Sequence, residues 1–266
     1  MISLKNLAFS YSPQAPLVLK GLTLTIENPS WVVVTGPDGS GKTTLAKIIS
    51  GLLKPDSGCI EFNSSQNTRS VIACYLGGDP YDSLIGISVE EDIVFGLENM
   101  QLSPSEIETR LKQVLEWTGL VGMERRLIHT LSGGEQQKVA LAATLAMGCK
   151  VVVVDEGLNM MDRPIRLSIR SLLGSLRNSL GLTVIEVTHD FQDALAADRM
   201  LFLSQGKIIF DGTASDFCQS PEGSRWTSLA GGIAGLRTAL VGKRLVSAYC
   251  GDNSELSSYI LTNIGK

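Results

Sequence analysis

A run of nine residues between Gly36 and Thr44 contains the residue types that hold a phosphate chain. Its three glycines let the backbone wrap closely around an anion, because they carry no Cβ. Backbone N–H groups at a helix start would point at the anion, Lys42 would reach the β- and γ-phosphates, and Thr43 would bind Mg²⁺. An ordinary glycine-rich turn is the alternative. The nine residues are Gly36, Pro37, Asp38, Gly39, Ser40, Gly41, Lys42, Thr43 and Thr44.

Two acidic residues and a histidine could supply the chemistry that a phosphate loop lacks. Asp155 and Glu156 directly follow four valines, and His189 follows a second apolar run. In this arrangement Asp155 would hold Mg²⁺, Glu156 would act as general base for an attacking water, and His189 would contact the γ-phosphate. The alternatives are a merely solvated acidic pair and a histidine with no role in chemistry.

A second candidate anion site begins at Ser132. Ser132 and Glu135 have the spacing of a capping box, in which each side chain bonds the backbone N–H of the other residue. A capping box does not require glycine at Gly133 and Gly134, and these glycines leave the helix N-terminus open to an anion. One nucleotide can occupy both anion sites of a compact chain only if they adjoin; otherwise this surface completes the site of another copy.

Three apolar runs predict the strands that position these residues. Trp31–Thr35 precedes the phosphate loop, Val151–Val154 precedes the two acids, and Thr183–Val187 precedes the histidine. Continuous β-branched runs are typical of parallel strands that are buried on both faces. Because the carboxyl ends of such strands border the binding crevice of an open α/β sheet, the pattern predicts one common site.

Four further runs in the first third of the chain predict additional strands. A polar loop follows the first run, and Tyr11 within it could stack on a purine ring or pack on the edge of the sheet. Both alternatives fit the composition of the loop. The four runs are Ile2–Phe9, Leu17–Ile26, Cys59–Phe62 and Ser70–Leu76.

Helical patterns dominate the middle of the chain. Ser88 with Glu91, and Ser103 with Glu106, have capping-box spacing, and a long helix opens at Ser132. We therefore predict a helical insertion at about residues 78–148. The remaining predicted elements are helices at Leu45–Ser50 and Pro164–Leu180, a hairpin of Met200–Leu203 with Lys207–Phe210, and helices around Ser228–Val241 and Leu256–Ile264.

Composition favours a globular α/β protein over a nucleic-acid-binding one. The 266 residues are 44% hydrophobic and carry a formal net charge of −4, whereas nucleic-acid-binding domains usually have a basic excess. No apolar run approaches the length of about 18 residues that a membrane-spanning helix needs. We expect a protein on the cytoplasmic side of the membrane, with no nucleic acid among its partners.

The motifs together resemble those of the ATP-binding cassette (ABC) ATPases. Leu131–Gln136 looks like their signature sequence, and the phosphate loop, the acidic strand end and His189 look like their Walker A motif, Walker B motif and switch histidine. The resemblance covers roughly residues 1–215. It implies an α/β fold of the P-loop NTPase class, with a mixed sheet, N-terminal antiparallel strands and a helical insertion subdomain. We expect this domain at residues 1–220 and a small C-terminal extension at 221–266.

The resemblance also implies roles for individual residues. ATP and Mg²⁺ would be the cofactors, Tyr11 would stack on adenine, and Gly157–Asp162 would be the D-loop, with Asp162 at its usual aspartate. Two subunits would bind ATP head-to-tail, so that each nucleotide lies between the phosphate loop of one chain and Ser132–Glu135 of the other. The partner would be the same chain or a homologous one.

One segment resembles a narrower group within the family. Val89–Asn99 is similar to the ATPases of energy-coupling-factor (ECF) transporters, including the cobalt and nickel type. This implies integral membrane subunits as partners, docked near residues 77–85 and the helical insertion. The alternatives are an ATPase of another ABC importer class and a soluble ABC-type nucleotide switch.

Three positions depart from the family pattern. The family usually has glutamine where alignment on the 89–99 segment places Gly78, and this glutamine touches Mg²⁺ and the attacking water. Asp38 replaces a commoner asparagine or serine, and Gly157 replaces a usual proline. Drift at tolerant positions is one explanation. Our hypothesis is that Gly78 slows hydrolysis or loosens its coupling to the membrane subunits.

Overall fold

The computed structural model describes residues 1–62, 73–158 and 161–223. The two helices predicted around 228–241 and 256–264 therefore lie outside the described residues. The strands of the described part are β1 Ile2–Phe9, β2 Leu19–Ile26, β3 Trp31–Thr35, β4 Ser57–Phe62, β5 Ala73–Leu76, β6 Val151–Asp155, β7 Thr183–Val187, β8 Arg199–Ser204 and β9 Lys207–Gly212.

The strands form two sheets. The smaller has the order β2-β1-β4 and is antiparallel, and the larger has the order β5-β6-β7-β3-β8-β9, with only β9 antiparallel to its neighbour. This arrangement confirms the predicted mixed sheet with antiparallel N-terminal strands. Asp155 pairs with Val187, and Val187 in turn pairs with Val34, so that β6, β7 and β3 end at the same edge.

Helices cover both faces of the larger sheet. In β6, Val152 and Val154 pack into one core with the helical layer, whereas Val151 and Val153 pack into a second core with the smaller sheet. A strand buried on both faces has no polar positions, which is why its sequence is a continuous run of valine. The helices of the described part are α1 Lys42–Ile49, α2 Val89–Asn99, α3 Pro104–Thr118, α4 Gly133–Ala146, α5 Arg163–Leu180, α6 Phe191–Ala196 and α7 Ala214–Gln219.

The helices α2, α3 and α4 follow β5, precede β6 and pack on one another. The predicted capping box at Ser103 and Glu106 is present in full. The one predicted at Ser88 is only half formed, because the Glu91 carboxylate accepts from the N–H of Ile87 at 3.1 Å instead of that of Ser88. No helix of the described part is both long enough and apolar enough to cross a membrane.

Candidate nucleotide-binding site

The phosphate loop connects β3 to α1 and is held from behind by the β8–β9 hairpin. At Gly36, whose φ is 143°, a Cβ would lie 2.0 Å from the backbone oxygen of Leu203, so only glycine fits there. The N–H of Gly206 donates to the backbone oxygen of Ser40 at 3.1 Å. The hairpin therefore determines the shape of the loop.

The side chains of the loop leave polar groups available for an anion. Lys42 Nζ donates to the backbone oxygens of Gly36 and Pro37, both at 2.9 Å, and burial lowers the pKa of its ammonium group. The Ser40 hydroxyl is buried and has no hydrogen-bond partner among the described residues. A phosphate would give both groups an acceptor, which supports the predicted function of the loop.

Asp155 lies at the end of β6 and faces the first turn of α1. Thr43 Oγ1 donates to its Oδ1 at 3.2 Å, and Tyr75 Oη donates to its Oδ2 at 2.8 Å. A hydroxyl and a carboxylate are hard oxygen ligands of the kind that Mg²⁺ binds together with substrate phosphates. The donor set of Thr43 and Asp155 therefore fits the predicted metal.

Glu156 and His189 come together where β6 and β7 end. Glu156 has a left-handed backbone, with φ of 55°, and its N–H donates to the backbone oxygen of Val187 at 3.0 Å. His189 Nε2 lies 2.8 Å from Glu156 Oε1 and 3.4 Å from Oδ1 of Asp38. The unusual aspartate of the loop is thus the third member of an acid–imidazole–acid group.

Tyr11 reaches the same site from the loop after β1. Its hydroxyl shares a hydrogen bond of 3.0 Å with Thr44 Oγ1, and its ring meets the ring of Phe9 edge-on. The side chain is nevertheless 62% exposed. A ring that is anchored at its hydroxyl and open to solvent can stack on a base beside the phosphate loop.

Gly78 lies directly against the two acids. A Cβ there would be 3.5 Å from Glu156 Cβ and from the backbone oxygen of Asp155, which is ordinary contact distance. Gly157 is more crowded, since its Cβ would lie 3.0 Å from the backbone oxygens of Leu76 and Gly77. The two glycines therefore bring the loop after β5 close to the end of β6.

Ser132–Glu135 forms the predicted capping box at the start of α4. Ser132 Oγ accepts from the N–H of Glu135 at 3.3 Å, and Glu135 Oε2 accepts from the N–H and the hydroxyl of Ser132, both at 2.8 Å. These bonds lower the pKa of Glu135. A Cβ at Gly133 would meet nothing within 4 Å among the described residues, so packing inside the chain does not require this glycine.

Not every predicted site residue makes a side-chain contact with the phosphate loop in the structure. The side-chain hydrogen bonds of Ser132 and Glu135 stay within their own turn or reach Arg126, and none of them reaches the phosphate loop. Asp162 is the N-cap of α5 but makes no side-chain cap bond. Residues 159 and 160 of the predicted D-loop lie outside the described part.

Comparison with known proteins identifies the family to which this chain belongs. The family model described as ABC transporter matches residues 19–159, more than half of the chain. The chain belongs to the ABC transporter family. Its fold is that of the ABC ATPases, and the prediction of an ATP-hydrolysing enzyme is confirmed at the level of the family.

Relatives of this ABC ATPase belong to the predicted narrower group. The energy-coupling factor transporter ATP-binding protein EcfA1 of Ligilactobacillus salivarius is 39% identical over 221 residues, which cover 80% of this chain and 77% of that protein. EcfA1 of Mycoplasmopsis pulmonis is 36% identical over 228 residues, which cover 84% and 86%. The resemblance to ECF-type ATPases is therefore confirmed.

Two solved structures share the fold of this ABC ATPase. CbiO1 of Clostridium perfringens, part of the ABC transporter complex CbiONQ, superposes with a TM-score of 0.73 at 28% identity and covers 90% of this chain and 98% of its own. A dimeric ATP-binding cassette in a post-hydrolysis state, bound to ADP and Pi, has a TM-score of 0.71 at 26% identity and covers 80% and 99%.

The sequence analysis missed several polar residues near the site of this ABC ATPase. Tyr75 was assigned only to a strand, and tyrosine is so common in strands that nothing marked its contact with Asp155. Gln137, which follows the signature, is buried, and its Nε2 donates to the backbone oxygen of Gly77 at 2.9 Å. A glutamine among mostly apolar residues of a buried helix is a sequence signal for such a contact.

Proposed function

We propose that this chain is the ATP-hydrolysing subunit of an ECF-type importer for a vitamin or a metal ion. The observation that carries the proposal is the meeting of Glu156 and His189, at 2.8 Å, beside an Asp155 that is bonded to Thr43. An ATPase needs a metal carboxylate, a base and a γ-phosphate contact at one place, and these side chains meet that need.

The proposed roles follow from the geometry. Lys42 would exchange its two loop carbonyls for phosphate oxygens, and Tyr11 would stack on adenine. Thr43 and Asp155 would hold Mg²⁺, which neutralises charge on the phosphates when it is bound. Glu156 would accept a proton from the attacking water, and His189 would hold the γ-phosphate in line. Glu156 and His189 also contact each other, which keeps the two side chains together at the ends of their strands.

A second ABC ATPase subunit, either the same chain or a homologue, would complete the site. The open space around Gly133 supports this proposal, because that space suits a group from outside the chain. The signature of one subunit would then cover the phosphate loop of the other, with Asp162 near the subunit boundary. ATP bound between two subunits stabilises their association by linkage.

Membrane subunits would dock on the helical insertion. Large exposed apolar side chains recur between residues 81 and 95, and Ile85, Ile87 and Phe95 are 70%, 69% and 47% exposed. Surface patches of this kind are typical of interaction sites. The chain would then be peripheral, on the cytoplasmic side of the membrane.

The variant Glu156→Gln tests the proposed base. We expect it to bind ATP, to accumulate a closed dimer with its ATPase partner, and to lose hydrolysis by about a hundredfold or more. The control Glu108→Gln removes the same charge from the exposed face of α3 and should hydrolyse ATP at the wild-type rate. Rapid hydrolysis by Glu156→Gln would refute the assigned base.

A further inference from the structure

The two carboxylate oxygens of Asp155 have different hydroxyl donors. Thr43, which lies on α1, bonds Oδ1 at 3.2 Å, and Tyr75, which lies on β5, bonds Oδ2 at 2.8 Å. Asp155 as a whole is only 5% exposed. Its orientation is therefore held from two sides, by one residue of the phosphate loop region and by one of the neighbouring strand.

The strand pairing explains how Tyr75 reaches this position. Tyr75 pairs with Val153 in the parallel β5–β6 ladder, so it lies one strand away from Asp155 and slightly before it. Gly77 adjoins the Tyr75 ring, because a Cβ at Gly77 would lie 3.3 Å from Tyr75 Cε1. A side chain at position 77 would thus crowd the ring, whereas glycine leaves space for it.

We propose that Tyr75 is a positioning residue for the magnesium carboxylate. Its hydroxyl holds Oδ2 of Asp155, and this leaves Oδ1 directed at Thr43, where the two oxygens can share one metal ion. A hydrogen bond to an ionised carboxylate is stronger than one between neutral groups and restrains the rotation of the carboxylate. The inference rests on the proposed metal role of Thr43 and Asp155. Partners that orient a metal ligand typically contribute 10–100-fold in metal affinity.

Binding of Mn²⁺ to the full chain in the presence of ADP tests this role without reference to catalysis. Free Mn²⁺ can be followed by electron paramagnetic resonance. We expect Tyr75→Phe, which removes only the hydroxyl, to weaken Mn²⁺ binding about tenfold, and to leave ADP affinity in EDTA at the wild-type value. Gly77→Ala, which presses on the ring, should weaken Mn²⁺ binding in the same direction and by less.

Two further variants make the outcome decisive. Thr118→Val removes a buried hydroxyl that bonds the backbone oxygen of Val114 far along α3, and it should bind Mn²⁺ normally. Asp155→Asn should lose Mn²⁺ binding more severely than Tyr75→Phe. Unchanged binding by Asp155→Asn would overturn the proposed metal site itself. Weakened binding by Asp155→Asn with wild-type binding by Tyr75→Phe would overturn the role of Tyr75 alone.

Discussion

At position 78, glycine leaves room beside Asp155 and Glu156. The Cβ that glycine lacks would make only ordinary contacts, 3.5 Å from Glu156 Cβ and from the backbone oxygen of Asp155. The backbone at this position therefore accepts a larger side chain. A glutamine amide at position 78 would start next to both residues and could bond the water that Glu156 is proposed to activate.

We expect Gly78→Gln to raise the ATPase rate measured with the membrane subunits by about tenfold. One hydrogen bond between neutral groups contributes up to about 1.5 kcal/mol, and about 1.4 kcal/mol corresponds to a factor of ten in rate. Gly78→Ala adds the Cβ without the amide and should remain at the wild-type rate. If the glutamine variant matched the alanine variant in both rate and coupling, the hypothesis about Gly78 would be wrong.

Residue types alone predicted the phosphate loop, the two acids and the histidine, because each type has few roles after a buried strand. The inward bonds of Lys42 and the contact of Asp38 with His189 were not predicted. Both depend on side-chain directions in a folded loop. Spacing along the chain carries no information about such directions.

At the scale of elements, α5 is bonded to the segment that carries His189. Arg170 forms ion pairs with Glu186 of β7 and with Asp193 of α6, and Asp193 also accepts from Thr188 Oγ1 at 2.9 Å. Trp31 Nε1 donates to Glu186 at 3.0 Å. A single arginine, whose side chain is only 12% exposed, thus ties α5 to both sides of His189.

We expect Arg170→Leu to lower the free energy of unfolding by about 3–5 kcal/mol at pH 7, because it leaves buried carboxylates without their cation. Denaturant unfolding measures this change. Arg177→Leu is a matched control on the same helix, since Arg177 pairs with the more exposed Asp198 and should contribute less than about 1 kcal/mol. Equal losses in the two variants would contradict the argument.

The effect of Arg170→Leu on the free energy of unfolding depends on pH. Burial raises the pKa of Glu186 and of Asp193 above their usual values, against the opposing effect of Arg170. An acid whose pKa is higher in the folded state binds protons more tightly there, so its contribution makes stability fall as pH rises above the usual carboxyl range. Without Arg170 both pKa values rise further. We therefore expect the loss in free energy of unfolding that Arg170→Leu causes to be smaller at pH 5 than at pH 7.

Strands with continuous apolar runs were predictable from sequence, whereas the shortest helices were not. The strands β3, β6 and β7 are buried on both faces, and their apolar runs marked them clearly. The helices α6 and α7 have six residues each, too few for an amphipathic period to repeat, and neither was predicted. The strand β2 begins at Leu19, two residues after the predicted start, because apolar residues continue into the preceding loop.

At the scale of the whole molecule, the signature and the phosphate loop lie on different layers. Ser132 begins a helix of the α2–α4 layer, whereas Lys42 begins the helix that follows β3. The sequence indicated two anion sites but could not say whether they adjoin. That question depends on how the layers pack, which no local pattern encodes.

We expect Gly133→Leu to fold normally and to weaken ATP-driven dimerisation about tenfold or more. The side chain enters open space in the single chain and favours the helix, but it would overpack a subunit interface by about 1–3 kcal/mol. Light scattering on the Glu156→Gln background, with its ATPase partner, measures the dimer. Ser179→Leu adds the same side chain at an exposed site of α5 and should dimerise normally. Normal dimerisation of Gly133→Leu would exclude a partner from this surface.

The dependence of the phosphate loop on the β8–β9 hairpin has a consequence for biosynthesis. Residues 36–44 leave the ribosome long before Leu203 and Gly206, the two residues whose backbone holds the loop in shape. A nascent chain therefore lacks the backbone contacts that shape this loop until the β8–β9 hairpin has been translated.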